Sequence, residues 1–253
     1  MSFDVAADSY ARFMGRYSEP LAVEFADSLS VQAGLTAVDV GCGPGALTAE
    51  LVRRLGTDAV SAVDPSESFV EAARERLPGV DIRLGSAESL PFESDSVDLA
   101  LAQLVVHFMS DPVRGISEMA RVTKPGGRVA ANVWDHAGEK GPLSTYWKAA
   151  RDLDPGVRDE SGLAGAREGH LAEMFGTAGL ADVESFPVTV RVSYPDFDTW
   201  WQPFTLGVGP AGDYVARLDD AGREALRARC MELLSDGPFE IAAVAWTAVG
   251  TVA

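Results

Sequence analysis

Cysteine is nearly absent from this chain: Cys42 and Cys230 are the only two in 253 residues. Two thiols do not make a disulfide framework, so the fold depends on a packed core and suits a reducing, cytoplasmic compartment. Histidine is almost as scarce. His107, His136 and His170 stand at no metal-ligand spacing, and no metal site is expected. Basic residues are few: 21 Lys and Arg against 38 Asp and Glu leave a formal net charge of −17. No basic run offsets that charge, which argues against a nucleic-acid partner and against docking on an anionic membrane, and fits solubility. A long apolar run is missing too. The stretch from Ile241 to Val249 is far too short to cross a bilayer, and Met1-Ser2-Phe3-Asp4 lacks the basic and apolar regions of an export signal. No internal repeat or low-complexity segment is evident.

What the chain does have is Val38-Asp39-Val40-Gly41-Cys42-Gly43-Pro44-Gly45, an apolar strand pattern running into an acid and three spaced glycines. A helical pattern, Ala46 to Leu55, follows at once. Glycines let the backbone turn tightly and approach a ligand closely, and the helix start offers unpaired N–H groups. Two ligand classes use such a loop. Gly41, Gly43 and Ala46 satisfy the dinucleotide fingerprint, and Asp64 stands about where its ribose-binding acid is expected. The whole of Asp39-x-Gly41-x-Gly43-x-Gly45 also satisfies the adenosylmethionine loop, (D/E)-x-G-x-G-x-G. A carboxylate at Asp39 would repel a pyrophosphate and attract an ammonium or sulfonium, so electrostatics favour the second ligand.

Downstream segments extend the pattern. Val60-Ser61-Ala62-Val63-Asp64-Pro65-Ser66 reads as a second strand ending in an acid, and Gly85-Ser86-Ala87-Glu88-Ser89-Leu90-Pro91-Phe92 follows. Ser96 to Gln103 and Glu118 to Val129, the latter with Lys124-Pro125-Gly126-Gly127, complete the series. With these motifs in this order, the chain resembles the class I S-adenosylmethionine-dependent methyltransferases. Within them it is closest to the small-molecule branch that includes the ubiquinone and menaquinone C-methyltransferases. The resemblance covers roughly residues 10 to 134. It implies S-adenosylmethionine as cofactor and a small organic molecule as acceptor. Asp64, followed by Pro65, would bind both ribose hydroxyls, and Ser86, Ala87 and Glu88 would lie beside the adenine. The family usually has Asp where Ser86 stands, and a hydroxyl is the weaker acceptor. Gln103, at the fourth strand's end, would face the methyl donor. Tyr10 and Arg16 fall in a segment resembling one that folds over the donor, where Arg16 could pair the methionine carboxylate. The fourth strand's end does not carry the N/D-P-P-Y/F of base-amino methylation.

Apolar periodicity predicts a first helix over 10–29. Strands near 37–40, 59–63, 81–84, 97–102 and 128–134 then alternate with helices near 46–55, 66–76 and 112–122. Such alternation predicts a doubly wound, mostly parallel α/β sheet, seven-stranded if the family topology holds, with ligands beyond the strands' carboxyl ends. Past Asp135 come turns at 138–142 and 154–156, helices at 143–153 and 168–178, and strands at 181–192 and 239–252, the last antiparallel. The expected organisation is an N-terminal segment (1–36) over the donor site, an α/β core (37–134), and remaining strands with a helical cap (135–253, its insert at about 194–237). Trp200, Trp201 and Phe204 in that insert are candidates for stacking on an aromatic acceptor. His107, just after the fourth strand, is the one candidate general base. Two rivals stay open: a nicotinamide-dependent oxidoreductase, and a protein that binds adenosylmethionine without catalysis. Oligomeric state is not legible.

Overall fold

The computed structural model describes residues 7–235 and 237–253. Met1–Asp4, considered above for an export signal, lie outside these residues, as does Asp236 of the cap insert. The chain enters as a helical rod: α1 (Ala7–Tyr10), a π-helical turn (Ala11–Gly15) and α2 (Arg16–Ser28). Then β1 (Ala37–Val40), α3 (Ala46–Leu55), β2 (Val60–Asp64), α4 (Glu67–Arg76), β3 (Asp81–Leu84), β4 (Val97–Gln103), α5 (Pro112–Val122) and β5 (Thr123–Trp134) build the alternating half. The remainder is α6 (Ser144–Leu153), α7 (His170–Thr177), β6 (Ala181–Tyr194), α8 (Phe197–Trp201), α9 (Gly209–Arg217), α10 (Asp220–Leu233) and β7 (Phe239–Thr251).

The seven strands form one sheet in the order β3-β2-β1-β4-β5-β7-β6. β1 to β5 are parallel, and β7 runs antiparallel between β5 and β6. All four residues of β1 are buried, as the centre of a doubly covered parallel sheet requires. β6 instead alternates exposed and buried positions toward its end, the mark of a strand with one wet face. Strand order reverses between β1 and β4, so a crevice opens beyond their carboxyl ends.

Local chemistry sets the helix starts. Asp111 caps α5 by accepting from the Arg114 N–H at 3.0 Å, with Pro112 at the first helical position. Lys124-Pro125-Gly126-Gly127, which reads in sequence as a plain turn, lies instead within an irregular start of β5. Thr123 pairs with Val97, the register shifts before Leu99, and Gly126 (φ +77°) donates its N–H to Val252 O.

The sheet's two faces carry separate apolar clusters, one around Val40, Ile116 and Phe175, the other around Phe25, Leu51 and Leu101. A further cluster joins α2, α6 and the 195–238 insert to the far end of β6, with Tyr146, Trp200 and Phe204 at its centre. Tyr146 and Phe204 stack at 4.5 Å between centroids, and the Tyr17 and Tyr194 hydroxyls share a hydrogen bond of 2.8 Å. Burying each such aromatic contributes about 2–3 kcal/mol, so this cluster is enough to fix the helices over the sheet.

Candidate active site

The glycine loop leaves β1 through Gly41 at φ +73° and turns again at Gly43, φ +53°. A Cβ on Gly41 would sit 2.5 Å from the Val105 methyls, so both the backbone angle and the space demand glycine there. The loop's amides are committed within the protein. Gly41 and Cys42 donate to Val63 O at 2.7 and 3.0 Å, Gly45 donates to Cys42 O at 2.9 Å, and Gly43 donates to Asp64 Oδ2 at 2.8 Å. Asp64 Oδ1 accepts from the Ser66 N–H at 2.9 Å. Two amide bonds hold this carboxylate still, at the end of β2, against a desolvation that raises its pKa.

Beside this loop lies a cleft open to solvent. Of the residues singled out in sequence, Tyr10, Asp39, Gly41, Gly43, Asp64, Pro65 and Gln103 border it. Asp39 is buried and accepts from Thr48 Oγ1 at 2.6 Å. Burial pushes its pKa up to about 7; the Thr48 bond opposes this, and the charge of Asp64 adds to it. Gln103 donates through Nε2 to Ser18 O at 2.9 Å, while its buried Oε1 has no protein partner. Buried acceptors are nearly always satisfied, so this oxygen in the cleft wall suits a ligand N–H.

Several expected residues lie elsewhere. The Arg16 guanidinium rests over the Tyr194 ring, 5.5 Å from its centroid, and does not border the cleft. Ser86 donates its hydroxyl to Glu88, whose carboxylate accepts from the Ser110 N–H at 2.7 Å. Ser86, Ala87 and Glu88 thus close a local network leading into α5 rather than lining the cleft, because a serine at this position is short enough to fold back on its neighbour. Gly45 shapes the start of α3 at φ +87° without bordering the cleft. Residues the sequence reading missed include Thr48, Ser18, Glu19 and Arg76. The last two pair at 2.9 Å on the rim. Thr48 had a signal, since the first turn of the helix after such a loop faces back to the strand.

A second, smaller and narrow pocket shares Tyr10, Leu104 and Phe108 with the cleft. His107 borders it, as do His136 and Glu160, two residues the sequence reading had not connected. His107 is half-buried, its Nδ1 is buried and unpartnered, and desolvation, helped by His136, holds its pKa down to about 3. Glu160 accepts from Trp147 Nε1 at 2.8 Å. Trp200, Trp201 and Phe204 border neither pocket; they pack into the cap's own core, and the cap reaches the second pocket through Val208 to Ala211 instead. Among the described residues no His/Cys/Asp/Glu cluster could hold a metal, and no helix is long and apolar enough to cross a membrane.

The fold is similar to that of solved S-adenosylmethionine-dependent methyltransferases. Residues 38–131 match the family model for a methyltransferase domain. It is 41% identical over 140 residues to an uncharacterised methyltransferase of Mycobacterium tuberculosis, covering 55% of this chain and 54% of the relative. It is 32% identical over 163 residues to trans-aconitate 2-methyltransferase of Rhizobium etli, covering 60% and 61%. The chain spans about half the length of the curated relatives it matches. Among solved structures, a phosphoethanolamine N-methyltransferase of Haemonchus contortus, solved with S-adenosylhomocysteine, aligns over 98% of this chain and 57% of its own. Its TM-score is 0.58 at 16% identity, a likeness of fold.

Proposed function

We propose that the protein binds S-adenosylmethionine in the open cleft and transfers its methyl group to a small organic acceptor in the adjoining pocket. One observation carries the choice of donor. The Gly41, Cys42, Gly43 and Gly45 amides, which a dinucleotide loop would turn toward pyrophosphate, are all spent on protein oxygens. Asp39 and Asp64 on the same wall add a charge that opposes phosphate and favours an ammonium or sulfonium. In this reading Asp64 accepts from the ribose hydroxyls and Gln103 Oε1 from the donor's amine. The N-terminal rod covers the donor through Tyr10, Gly15 and Ser18.

Transfer is an in-line displacement. A lone pair on the acceptor forms a bond to the methyl carbon as the carbon–sulfur bond breaks, the bonding electrons pass to sulfur to give a neutral thioether, and the proton of a hydroxyl or amine acceptor passes to solvent. Most of the rate then comes from alignment and exclusion of water. His107 is neutral at pH 7 and a poor proton store, so we assign it to orienting the acceptor rather than to removing its proton. The acidic chain with two buried free thiols fits a cytoplasmic enzyme without nucleic-acid or membrane partners. Thermal shift with S-adenosylmethionine, S-adenosylhomocysteine and NADH tests the donor: the first two should raise the melting temperature, and stabilisation by NADH alone overturns the proposal.

A further inference from the structure

We propose that the second pocket selects an uncharged or cationic acceptor bearing a hydroxyl or amine, and turns away carboxylates, with Glu160 as the selecting residue. This rests on the reading of the neighbouring cleft as the methyl-donor site. No Lys or Arg borders the pocket. Its one charged group is Glu160, 5% exposed. The adjacent acid, Asp159, is neutralised by Arg151, whereas Glu160 has no ion pair among the described residues. A buried carboxylate without a cation is costly, and a ligand ammonium would offset that cost, while a ligand carboxylate would double it.

The uncharged groups agree. Trp134 borders the same pocket, and its buried Nε1 donates to nothing in the protein. The His107 Nδ1 atom is similarly unpartnered. A ligand hydroxyl is able both to accept from an N–H and to donate to a carboxylate, the two kinds of group this wall offers. The rest of the wall is apolar, from Phe13, Met14, Leu143 and Val208, so the body of the acceptor is hydrocarbon or aromatic.

Three probes of one shape and different charge test this: 4-ethylphenol, tyramine and 4-hydroxyphenylacetate, titrated by calorimetry into the full chain saturated with S-adenosylhomocysteine. Tyramine and 4-ethylphenol should bind, with 4-hydroxyphenylacetate at least tenfold weaker. Glu160→Gln keeps an oxygen for Trp147; it should weaken tyramine at least fivefold, strengthen 4-hydroxyphenylacetate, and leave 4-ethylphenol within twofold. Equal binding of tyramine and 4-hydroxyphenylacetate, binding of none of the three, or a ratio untouched by Glu160→Gln overturns the inference. Failure of S-adenosylhomocysteine itself to bind would instead overturn the donor site, and the same titrations into the unliganded chain would then judge Glu160 by the same ratios.

Discussion

Thr48 Oγ1 donates to Asp39 Oδ2 at 2.6 Å, tying the first turn of α3 to the end of β1 inside the cleft wall. The bond works against burial, which has already raised the Asp39 pKa to about 7. The folded value lies above the unfolded one, so the unliganded protein loses stability as pH rises from about 4 to about 7. A cationic donor favours the ionised form and reverses this. Donor affinity should therefore climb by up to tenfold per pH unit below 7 and level off above it. Calorimetry in two buffers of different ionisation enthalpy should show a proton released on binding at pH 6. Thr48→Val removes a bond that lowers the pKa and should move the whole profile to higher pH. A flat profile would remove Asp39 from the donor's surroundings.

Asp64 both shapes the loop and borders the cleft. Asp64→Asn should lower donor affinity at least tenfold, since a neutral amide loses charge-assisted bonds of about 1.5–3 kcal/mol each. It keeps an oxygen for one of the two amides, Gly43 or Ser66, so the melting temperature should fall only a few degrees. Affinity unchanged in calorimetry would deny the acid its role.

Gly41→Ala forces a side chain onto φ +73° and into the Val105 methyls at 2.5 Å. It should cost about 2 kcal/mol or more of stability and abolish donor binding, with urea midpoint and calorimetry as readouts. Gly43 is different: open space surrounds its missing Cβ, so Gly43→Ala should fold better than Gly41→Ala.

Asp98 lies away from the site. It accepts from the Thr36 N–H and hydroxyl at 2.8 and 2.7 Å and pairs with Lys124 at 2.8 Å, joining β4 to the entrance of β1. Lys124 first, then Thr36, holds its pKa down to about 2. Its stabilisation is complete above about pH 4 and disappears as pH falls toward 2. Because the pair is partly exposed, Asp98→Asn should cost about 1–2 kcal/mol at pH 7 and almost nothing at pH 2, measured by urea unfolding.

The alternating strands and helices were legible because each buried parallel strand is a short apolar run stopped by a turn, as at Ala37–Val40 and Val60–Asp64. The loop acids were legible for the same reason: Asp39 and Asp64 interrupt apolar runs at the strand ends. The second pocket was not. His136 and Glu160 stand 24 positions apart in loops, and only the fold of 135–170 brings them to one wall. The cap aromatics were visible as residues but not in direction. Trp200 and Phe204 have equal chemical claims on an acceptor or on one another, and the sequence does not show that they pack with Tyr146 and Phe13. Arg16 shows the same limit, because a cation–π partner in Tyr194 is distant in sequence.

A ribosome releases Tyr17 long before Tyr194, the residue whose hydroxyl it meets. β6 reaches the sheet only through β7, so synthesis cannot latch the N-terminal rod in place until residue 251 has emerged. A chain arrested before residue 181 would already hold Gly41, Asp64 and Gln103, with Trp134 available to Tyr17, while Phe13 still lacked Phe204 and Tyr17 still lacked Tyr194. Such a nascent form would leave one side of the rod's grease open to chaperones.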